Sequence, residues 1–417
     1  MSKSILIIGG GVIGLCTAYY CLQSGRQVTL LERGEPDHDG CSLGNAGFVV
    51  PSHFTPLAAP GAVSAGLRMM FNPESPFAIR PRLSLDLLKW VWHFCRSANA
   101  GHVARSAPIL RDLNLASRAC FEELAALPGA DFGLVKNGLL MLCKSDKALE
   151  EEARLAAAAR RLGLFAEALT PDETARLDPG VRREIAGAVY FPQDCHLHPQ
   201  RFMSWLTQTV QDAGGRIEWS TRLLGWRAEG GVIQSAQTNR GDYEADEYVL
   251  TAGSWTPGVV RGLGLNLLIQ AGKGYSLTLP HPPRRPIVAS LLTEARVAVT
   301  PMGEAVRFGG TMEITGLDRS INQRRVAGIV KSIPKYLPDF QPEQFEKVPV
   351  WRGLRPCSPD GIPYIGRVRS YSNLCIGSGH AMMGLSLGPI TGKLIAQILS
   401  NVPPSIDISA LHPDRFD

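Results

Sequence analysis

The chain has 417 residues, of which 45% are hydrophobic and 19% charged, and its 43 Lys and Arg against 38 Asp and Glu give a formal net charge of +5. This length predicts two to three domains with enough apolar material for a substantial core. The positive surplus is too small for a nucleic-acid-binding face, and near-average Gly and Pro usage excludes collagen-like and disordered chains.

Cysteine and hydropathy patterns predict a cytoplasmic protein without a transmembrane segment. The nine cysteines include no C-x-x-C pair, and no convincing signal peptide is visible, so reduced thiols are expected. Two windows without Asp, Glu, Lys or Arg, 4–25 and 370–392, are interrupted by glycines rather than continuously apolar. The Cys195-His196-x-His198 spacing matches no common zinc pattern, so we predict no metal site.

A glycine-rich turn follows the first predicted strand. Residues 4–8 form a β-branched apolar run, and Gly9-x-Gly11-x-x-Gly14 then opens an apolar helix over residues 12–24. Gly9 permits the tight turn, Gly11 allows the backbone to approach a pyrophosphate, and Gly14 allows the helix to pack closely on the strand. This order of strand, turn and helix predicts a dinucleotide-binding module.

An acidic residue completes the module. The second strand, residues 27–31, ends at Glu32, whose carboxylate can accept hydrogen bonds from an adenosine ribose and would repel a 2′-phosphate. The module by itself leaves FAD and NAD open. Since 262–264 and 377–379 lack a third glycine, we predict one dinucleotide site, whose redox partner is the substrate or an external acceptor.

Four stretches together resemble the FAD-dependent D-amino-acid oxidase and dehydrogenase superfamily. They are the glycine turn with Ser42-Leu-Gly-Asn45-Ala46-Gly47, the strand and turn over 249–256, the segment over 351–366, and the closing turn over 373–384. The resemblance spans the whole chain and implies FAD. It implies these FAD contacts: Gly9, Gly11, Val12, Ile13, Gly14, Glu32, Arg33, Ser42, Asn45, Ala46, Gly47, Ala252, Gly253, Trp255, Gly379, His380, Gly384 and Leu385.

The flavin is expected to be noncovalent. Some sarcosine-oxidising relatives attach it through a cysteine upstream of a Pro-Asp motif. Here Gly353 occupies the position that aligns with their attachment site, and Cys357 lies only two residues before Pro359.

Arg355 is the first candidate for the substrate anchor. An amino acid oxidised at Cα must be held by its planar carboxylate, and only the guanidinium fork of Arg binds that group bidentately. The alternative is a surface ion pair of Arg355 with Asp360. The resemblance also places Tyr275 on the substrate side, where its hydroxyl would donate to the carboxylate, although a half-buried core tyrosine stays an alternative.

The resemblance implies an α/β fold in which a Rossmann-like FAD-binding domain is interleaved with an antiparallel-sheet substrate-binding domain. Helical and parallel-strand patterns over 1–53, 196–260 and 350–417 are assigned to the FAD-binding domain. Short alternating strands with Pro and Gly turns over 133–195 and 261–349 favour a substrate-binding domain, which is assigned to 54–195 and 261–349. The active site is expected between the two.

Within the second assignment, residues 67–71 and 85–94 are very apolar. Amphipathic helices with Trp and Phe can lie on a bilayer, which would place the protein peripherally on the inner face of a membrane. The alternative is packing against the core or a partner subunit, and the sequence leaves both open, as it does homo- or hetero-oligomerisation.

The predicted reaction is hydride transfer from the Cα of a D-amino acid to FAD, with electrons passed to a quinone or another non-oxygen acceptor. Leu385 and Leu387 stand where many D-amino-acid dehydrogenases carry Trp, which keeps D-proline or 4-hydroxy-D-proline as an alternative substrate. A glycine or sarcosine oxidase that uses oxygen is a second alternative. A non-catalytic FAD-binding subunit of a larger complex is a third.

Overall fold

The computed structural model describes residues 3–70 and 72–417. Phe71, in the first apolar stretch noted above, lies outside the described residues. The helices are α1 Val12–Gln23, α2 Ala62–Met70, α3 Leu85–Ser97, α4 Ala100–Ala125, α5 Asp146–Arg161, α6 Pro171–Leu177, α7 Pro199–Asp212, α8 Thr256–Val260, α9 Gln323–Ser332 and α10 Gly388–Leu399. The strands are β1 Ser4–Ile8, β2 Gln27–Leu31, β3 Phe48–Val49, β4 Phe77–Ile79, β5 Leu139–Cys143, β6 Glu167–Leu169, β7 Gly187–Phe191, β8 Cys195–His196, β9 Arg216–Glu218, β10 Leu223–Glu229, β11 Val232–Thr238, β12 Gly241–Tyr243, β13 Glu247–Leu250, β14 Gln270–Leu279, β15 Ala289–Leu292, β16 Val297–Met302, β17 Ala305–Ile314, β18 Val350–Cys357, β19 Tyr364–Arg367 and β20 Leu374–Ser378.

A six-stranded sheet has the order β19-β20-β13-β1-β2-β9, and only its edge pair β19–β20 is antiparallel. Strand β1 is almost wholly buried, as a central parallel strand covered on both faces should be. Helices α1 and α10 cover one face of this sheet. The two helices can approach closely because Gly392 has no side chain: a Cβ at that position would lie 2.5 Å from the backbone of Cys16.

A nine-stranded sheet, mostly antiparallel, forms the second layer. Its order is β18-β14-β17-β16-β15-β5-β7-β6, and β4 pairs with β17. We call the face that carries Arg355, Ser276 and Arg307 the front face, because the last two contact the loop that follows the glycine turn. The opposite, back face packs on α9 through a buried apolar cluster. The predicted α/β fold class is confirmed.

Sheet membership differs from the predicted segments at the start of 350–417. The prediction assigned 350–417 to the FAD-binding domain, but β18 pairs with β14 along its whole length and belongs to the nine-stranded sheet. The chain enters the six-stranded sheet only at β19, Tyr364–Arg367. The Trp-Arg-Gly-Leu run is therefore a strand that belongs to one sheet and leads directly into the other.

Helix α3 divides its apolar residues between two environments. Leu87 and Trp90 are buried, and the Trp90 indole N–H donates to the Cys357 carbonyl at 2.9 Å. Leu85, Leu88 and Trp92 are more than half exposed. Among the described residues, no helix is long and apolar enough to cross a membrane.

Candidate active site

The glycine turn between β1 and α1 leaves no room for side chains. Gly9 has a φ of +114°, and a Cβ placed there would lie 2.6 Å from the Thr251 carbonyl oxygen. A Cβ on Gly14 would lie 1.9 Å from the Gly9 carbonyl oxygen. At Gly11 the nearest atom to an added Cβ is the Ser42 Oγ at 3.6 Å, so the backbone there is open to a ligand.

The backbone N–H groups at the amino end of α1 have few hydrogen-bond acceptors within the protein. Gly11 is its N-cap and supplies no side-chain acceptor, while the Ser42 hydroxyl accepts from the Val12 N–H at 3.0 Å. Ile13 follows in the same first turn and is buried. The positive end of the helix dipole thus points at the open backbone of the turn, which favours an anionic ligand.

Two backbone amides fix the Glu32 carboxylate at the end of β2. The N–H groups of Gly10 and Gly34 each donate to one of its oxygens at 2.7 Å. The neighbouring Arg33 guanidinium stacks 3.6 Å from the centre of the Trp255 ring. Both oxygens keep lone pairs for further donors such as ribose hydroxyls.

Three further predicted contacts lie at the same edge, because β1, β13 and β20 are parallel and end together. Ala252 and Gly253 follow β13, and Gly253 has a φ of +54°. Gly379 follows β20 with a φ of +79°. The edge brings the glycine turn, the end of β13 and the end of β20 to one place, as the rule for ligand sites in open parallel sheets requires.

His380 is buried beside this edge. Its Nε2 lies 3.0 Å from the Thr391 hydroxyl, and its Nδ1 has no partner among the described residues. Burial lowers the pKa of His380 to about 3, so the ring is neutral. Gly384 and the buried Leu385 continue the same turn into α10. A buried ring nitrogen without a partner fits a polar ligand atom.

The Ser42–Gly47 loop connects this edge with the nine-stranded sheet. The Asn45 side chain accepts from the Gly47 N–H at 2.8 Å, and a Cβ on Gly47 would lie 2.3 Å from the Leu197 carbonyl oxygen. Ala46 lies over the front face, 3.9 Å from where a Cβ on Gly309 would be. The loop thus occupies the space between the two layers.

Arg355 projects from the front face of β18. Its guanidinium lies flat on β14, where a Cβ on Gly274 would be only 2.1 Å from Nη1. It donates to the Thr311 carbonyl at 2.7 Å and forms no ion pair with any described acidic residue. Burial lowers the pKa of Arg355. A carboxylate at its remaining N–H groups would offset that burial cost.

A β-bulge supplies the carbonyl that holds Arg355. In the pairing of β14 with β17, one residue on β14 faces both Thr311 and Met312. Thr311 has a φ of +70°, which a β-branched residue rarely adopts. The bulge turns the Thr311 carbonyl toward Arg355, so backbone strain is located at the candidate anchor.

The ion pair of Arg355 with Asp360, the alternative to the anchor prediction, is absent. Asp360 instead receives two hydrogen bonds from the Arg415 side chain, at 2.7 and 2.9 Å. This arrangement favours the substrate-anchor interpretation of Arg355 over the surface-turn alternative.

Tyr275 does not lie beside Arg355. It pairs with Arg352 across the sheet, so its side chain is on the back face, where it is 1% exposed. Its hydroxyl donates to Glu313 at 2.7 Å and accepts from the Asn322 N–H at 3.0 Å. The predicted contact with a substrate carboxylate is therefore corrected: alternation along β14 turns this ring into the core, as the alternative had it.

Apolar side chains from four elements meet near the other end of the front face. Val50, Phe54 and Met141 are buried together, with Leu291 and Met383 packed against them. The front face is therefore apolar at this end.

Several residues that shape the site have weak signals in the sequence. Thr311 is a bulge residue that no periodicity reveals. Arg307 and Ser276 lie at alternate positions in strand patterns, where a polar residue usually means a solvent face, yet Arg307 is 3% exposed and Ser276 4%. Their role is visible only once the sheet lies against the Ser42–Gly47 loop.

Comparison with known proteins identifies relatives along the whole chain. Residues 4–398 match the family described as FAD dependent oxidoreductase. A D-amino acid dehydrogenase of Bradyrhizobium diazoefficiens is 32% identical, with 99% of this chain and 98% of that protein aligned. A D-amino acid dehydrogenase of Granulibacter bethesdensis is 30% identical, with 99% of each covered.

Solved structures share the fold at lower identity. Glycine oxidase from Geobacillus kaustophilus superposes with a TM-score of 0.79 at 23% identity over 100% of both chains. L-proline dehydrogenase from P. horikoshii superposes with a TM-score of 0.75 at 17% identity, over 100% of this chain and 98% of that one. The relatives favour an enzyme over a non-catalytic flavin-binding subunit. Because the family match runs through nearly the whole chain and the relatives align end to end, this chain belongs to the FAD-dependent oxidoreductase family and takes FAD as its cofactor.

Proposed function

We propose that the protein oxidises a D-amino acid at Cα, with FAD as the hydride acceptor and Arg355 as the carboxylate anchor. The observation that carries the proposal is the Arg355 guanidinium, which is held by one carbonyl, has no acidic partner and lies on the front face. The preference for the D configuration is supported by the D-amino acid dehydrogenases of similar sequence.

In this proposal the residues of the parallel-sheet edge hold the cofactor. The glycine turn and the amino end of α1 bind the pyrophosphate, and Glu32 accepts hydrogen bonds from the ribose. The remainder of FAD contacts the Ser42–Gly47 loop, the turn over 252–255 and the turn over 379–385. Bound FAD supplies the hydride acceptor. No base is required at Cα, since hydride transfer needs only a neutral amine. Among the described residues, His380 has no acidic partner that would make its ring a stronger base.

We further propose that FAD is noncovalent. Gly353 carries no nucleophile, and Cys357 is fully buried, with its pKa raised to about 12 by burial. Acid precipitation of the holoenzyme should release all of the flavin into the supernatant. Flavin fluorescence retained by the precipitated polypeptide would contradict this.

The proposed electron acceptor is a membrane quinone. The exposed side chains Leu83, Leu85, Leu88 and Trp92 form an apolar ridge, with exposed Lys89 and Arg96 beside it. Trp and Leu flanked by cations suit a peripheral contact with an anionic bilayer. Quinone reduction in anionic vesicles should fall in a Leu88→Ser, Trp92→Ser double variant, while reduction of a water-soluble dye is retained.

The reaction is tested by anaerobic bleaching of the flavin band with D- and L-amino acids, both hydroxyproline epimers, D-proline, glycine and sarcosine. Fast bleaching by a D-compound is expected. Bleaching only by L-compounds or by none would contradict the proposal. Aerobic peroxide formation with glycine or sarcosine would favour the oxidase alternative, whose support is a shared fold with glycine oxidase.

Arg355→Ala should lower kcat/KM by roughly a thousandfold and Arg355→Lys by roughly tenfold to a hundredfold, because Lys offers a point charge instead of a fork. Both variants should stay yellow. The matched control is Arg324→Ala, on the exposed surface of α9, which should behave as wild type. An Arg355→Ala enzyme with unchanged kcat/KM would remove the anchor from the proposal.

A further inference from the structure

Three successive carbonyls of the Ser42–Gly47 loop are held by side chains of the front face. Arg307 donates through Nη1 to the carbonyls of Leu43, at 3.2 Å, and Asn45, at 2.7 Å. Between them, the Gly44 carbonyl accepts from the Ser276 hydroxyl at 3.0 Å. The loop is therefore oriented by the nine-stranded sheet, although its Ser42 also contacts the amino end of α1.

Arg307 is a buried cation that holds two of these carbonyls without an acidic partner of its own among the described residues. Its side chain is 3% exposed, and its other two hydrogen bonds are to the Thr278 hydroxyl at 3.0 Å and the Gln200 side chain at 3.1 Å. All of its partners are neutral, and no described acidic residue forms an ion pair with it. Burial lowers the pKa of Arg307 to about 10, so it still carries its charge at neutral pH. A buried cation without an anion is costly, which points to a role beyond packing.

The held carbonyls fix the direction of the N–H groups that follow them. In a trans peptide the C=O and the next N–H point in opposite directions. The N–H groups of Gly44 and Ala46 are thus directed away from the sheet, and neither has a hydrogen-bond partner among the described residues. A charged donor on the carbonyl also polarises the peptide and makes its N–H a stronger donor.

We propose that Arg307 is a positioning residue that directs and polarises the N–H groups of Gly44 and Ala46 toward bound flavin. Donors aimed at the ring stabilise its electron-rich reduced form, so they raise the reduction potential. The inference rests on the proposed assignment of the Ser42–Gly47 loop as a flavin contact. It adds a residue from the nine-stranded sheet that acts on the cofactor rather than on the substrate.

The test compares Arg307→Gln and Arg307→Lys holoenzymes with wild type. The midpoint potential is measured by reductive titration against a reference dye, and FAD affinity by flavin fluorescence. In Arg307→Gln we expect reduced flavin to be bound at least tenfold less tightly relative to oxidised flavin, which for two electrons lowers the potential by about 30 mV. Arg307→Lys keeps the charge but cannot hold both carbonyls, so a smaller shift in the same direction is expected.

The control is Arg285→Gln, whose side chain is 58% exposed in an ion pair with Glu304, and it should leave the potential unchanged. A folded Arg307→Gln protein that is less stable yet has the wild-type potential would overturn the inference. If Arg307→Gln does not fold, an unshifted potential in Arg307→Lys overturns it. The titration uses dithionite and no substrate. Failure of the proposed amino-acid oxidation would instead be seen as wild-type flavin that no amino acid bleaches.

Discussion

The glycine turn and the Arg355 anchor are built in different ways. Gly9, Gly11, Gly14 and Glu32 lie within one strand-helix-strand unit, and their spacing alone defines their geometry. The anchor combines a side chain from β18, a glycine from β14 and a strained carbonyl from β17. A local module can be identified from its motif, whereas an assembled site depends on register and bulges between distant strands.

The largest expected effect is on the local module. Gly14→Ala would place a methyl group 1.9 Å from the Gly9 carbonyl oxygen, so we expect the free energy of unfolding to fall by roughly 4 kcal/mol or more and the protein to purify without flavin. The control is Gly258→Ala, where no atom lies within 4 Å of the added group. A yellow, stable Gly14→Ala protein would show that the turn is less tightly constrained than its geometry implies.

A smaller effect is expected from pH, at a buried carboxyl group whose hydrogen-bond partner lies 142 residues away in the chain. Asp194 is fully buried and accepts from the Ser52 N–H at 3.0 Å and from the Ser52 hydroxyl at 2.5 Å. Burial raises the pKa of Asp194 to about 7. Between about pH 4 and pH 7 the folded state therefore holds a proton that the unfolded state has lost, so stability falls as pH rises through this window.

Asp194→Asn should remove that slope, which amounts to roughly 2 to 4 kcal/mol across the window. Urea unfolding at pH 5 and pH 7.5 measures it in both proteins. Equal pH dependence in wild type and variant would mean that Asp194 is ionised in the folded state.

The smallest effect concerns the bulge. Thr311→Gly should relieve the left-handed strain and raise the free energy of unfolding by roughly 0.5 to 1 kcal/mol, since Gly adopts this conformation without the penalty. Thr311→Val keeps the branched shape and should give no gain. If chemical denaturation shows Thr311→Gly to be destabilised, then side-chain packing at the bulge outweighs its backbone strain.

The sequence predicted the local parts of the molecule well and the assembled parts unevenly. The strand, turn, helix and Glu32 follow directly from motif spacing, and Arg355 was singled out by the chemistry of a carboxylate. Tyr275 was placed on the wrong side, because alternation along β14 defines two faces without saying which one meets the flavin. Arg307 was missed altogether, since its partners are backbone carbonyls more than 250 residues away.

The Arg355 guanidinium lies flat on Gly274, and this contact does not depend on the bond that joins the guanidinium to the polypeptide. A free guanidinium ion could therefore replace the side chain. Truncating the side chain in Arg355→Ala would leave a planar slot bounded by bare β14 backbone and the Thr311 carbonyl oxygen. Free guanidinium ion has the shape and donors to occupy such a slot. Millimolar guanidinium, well below denaturing levels, should therefore restore part of the lost turnover in Arg355→Ala, and the slot would then act as a binding site for a diffusible cation.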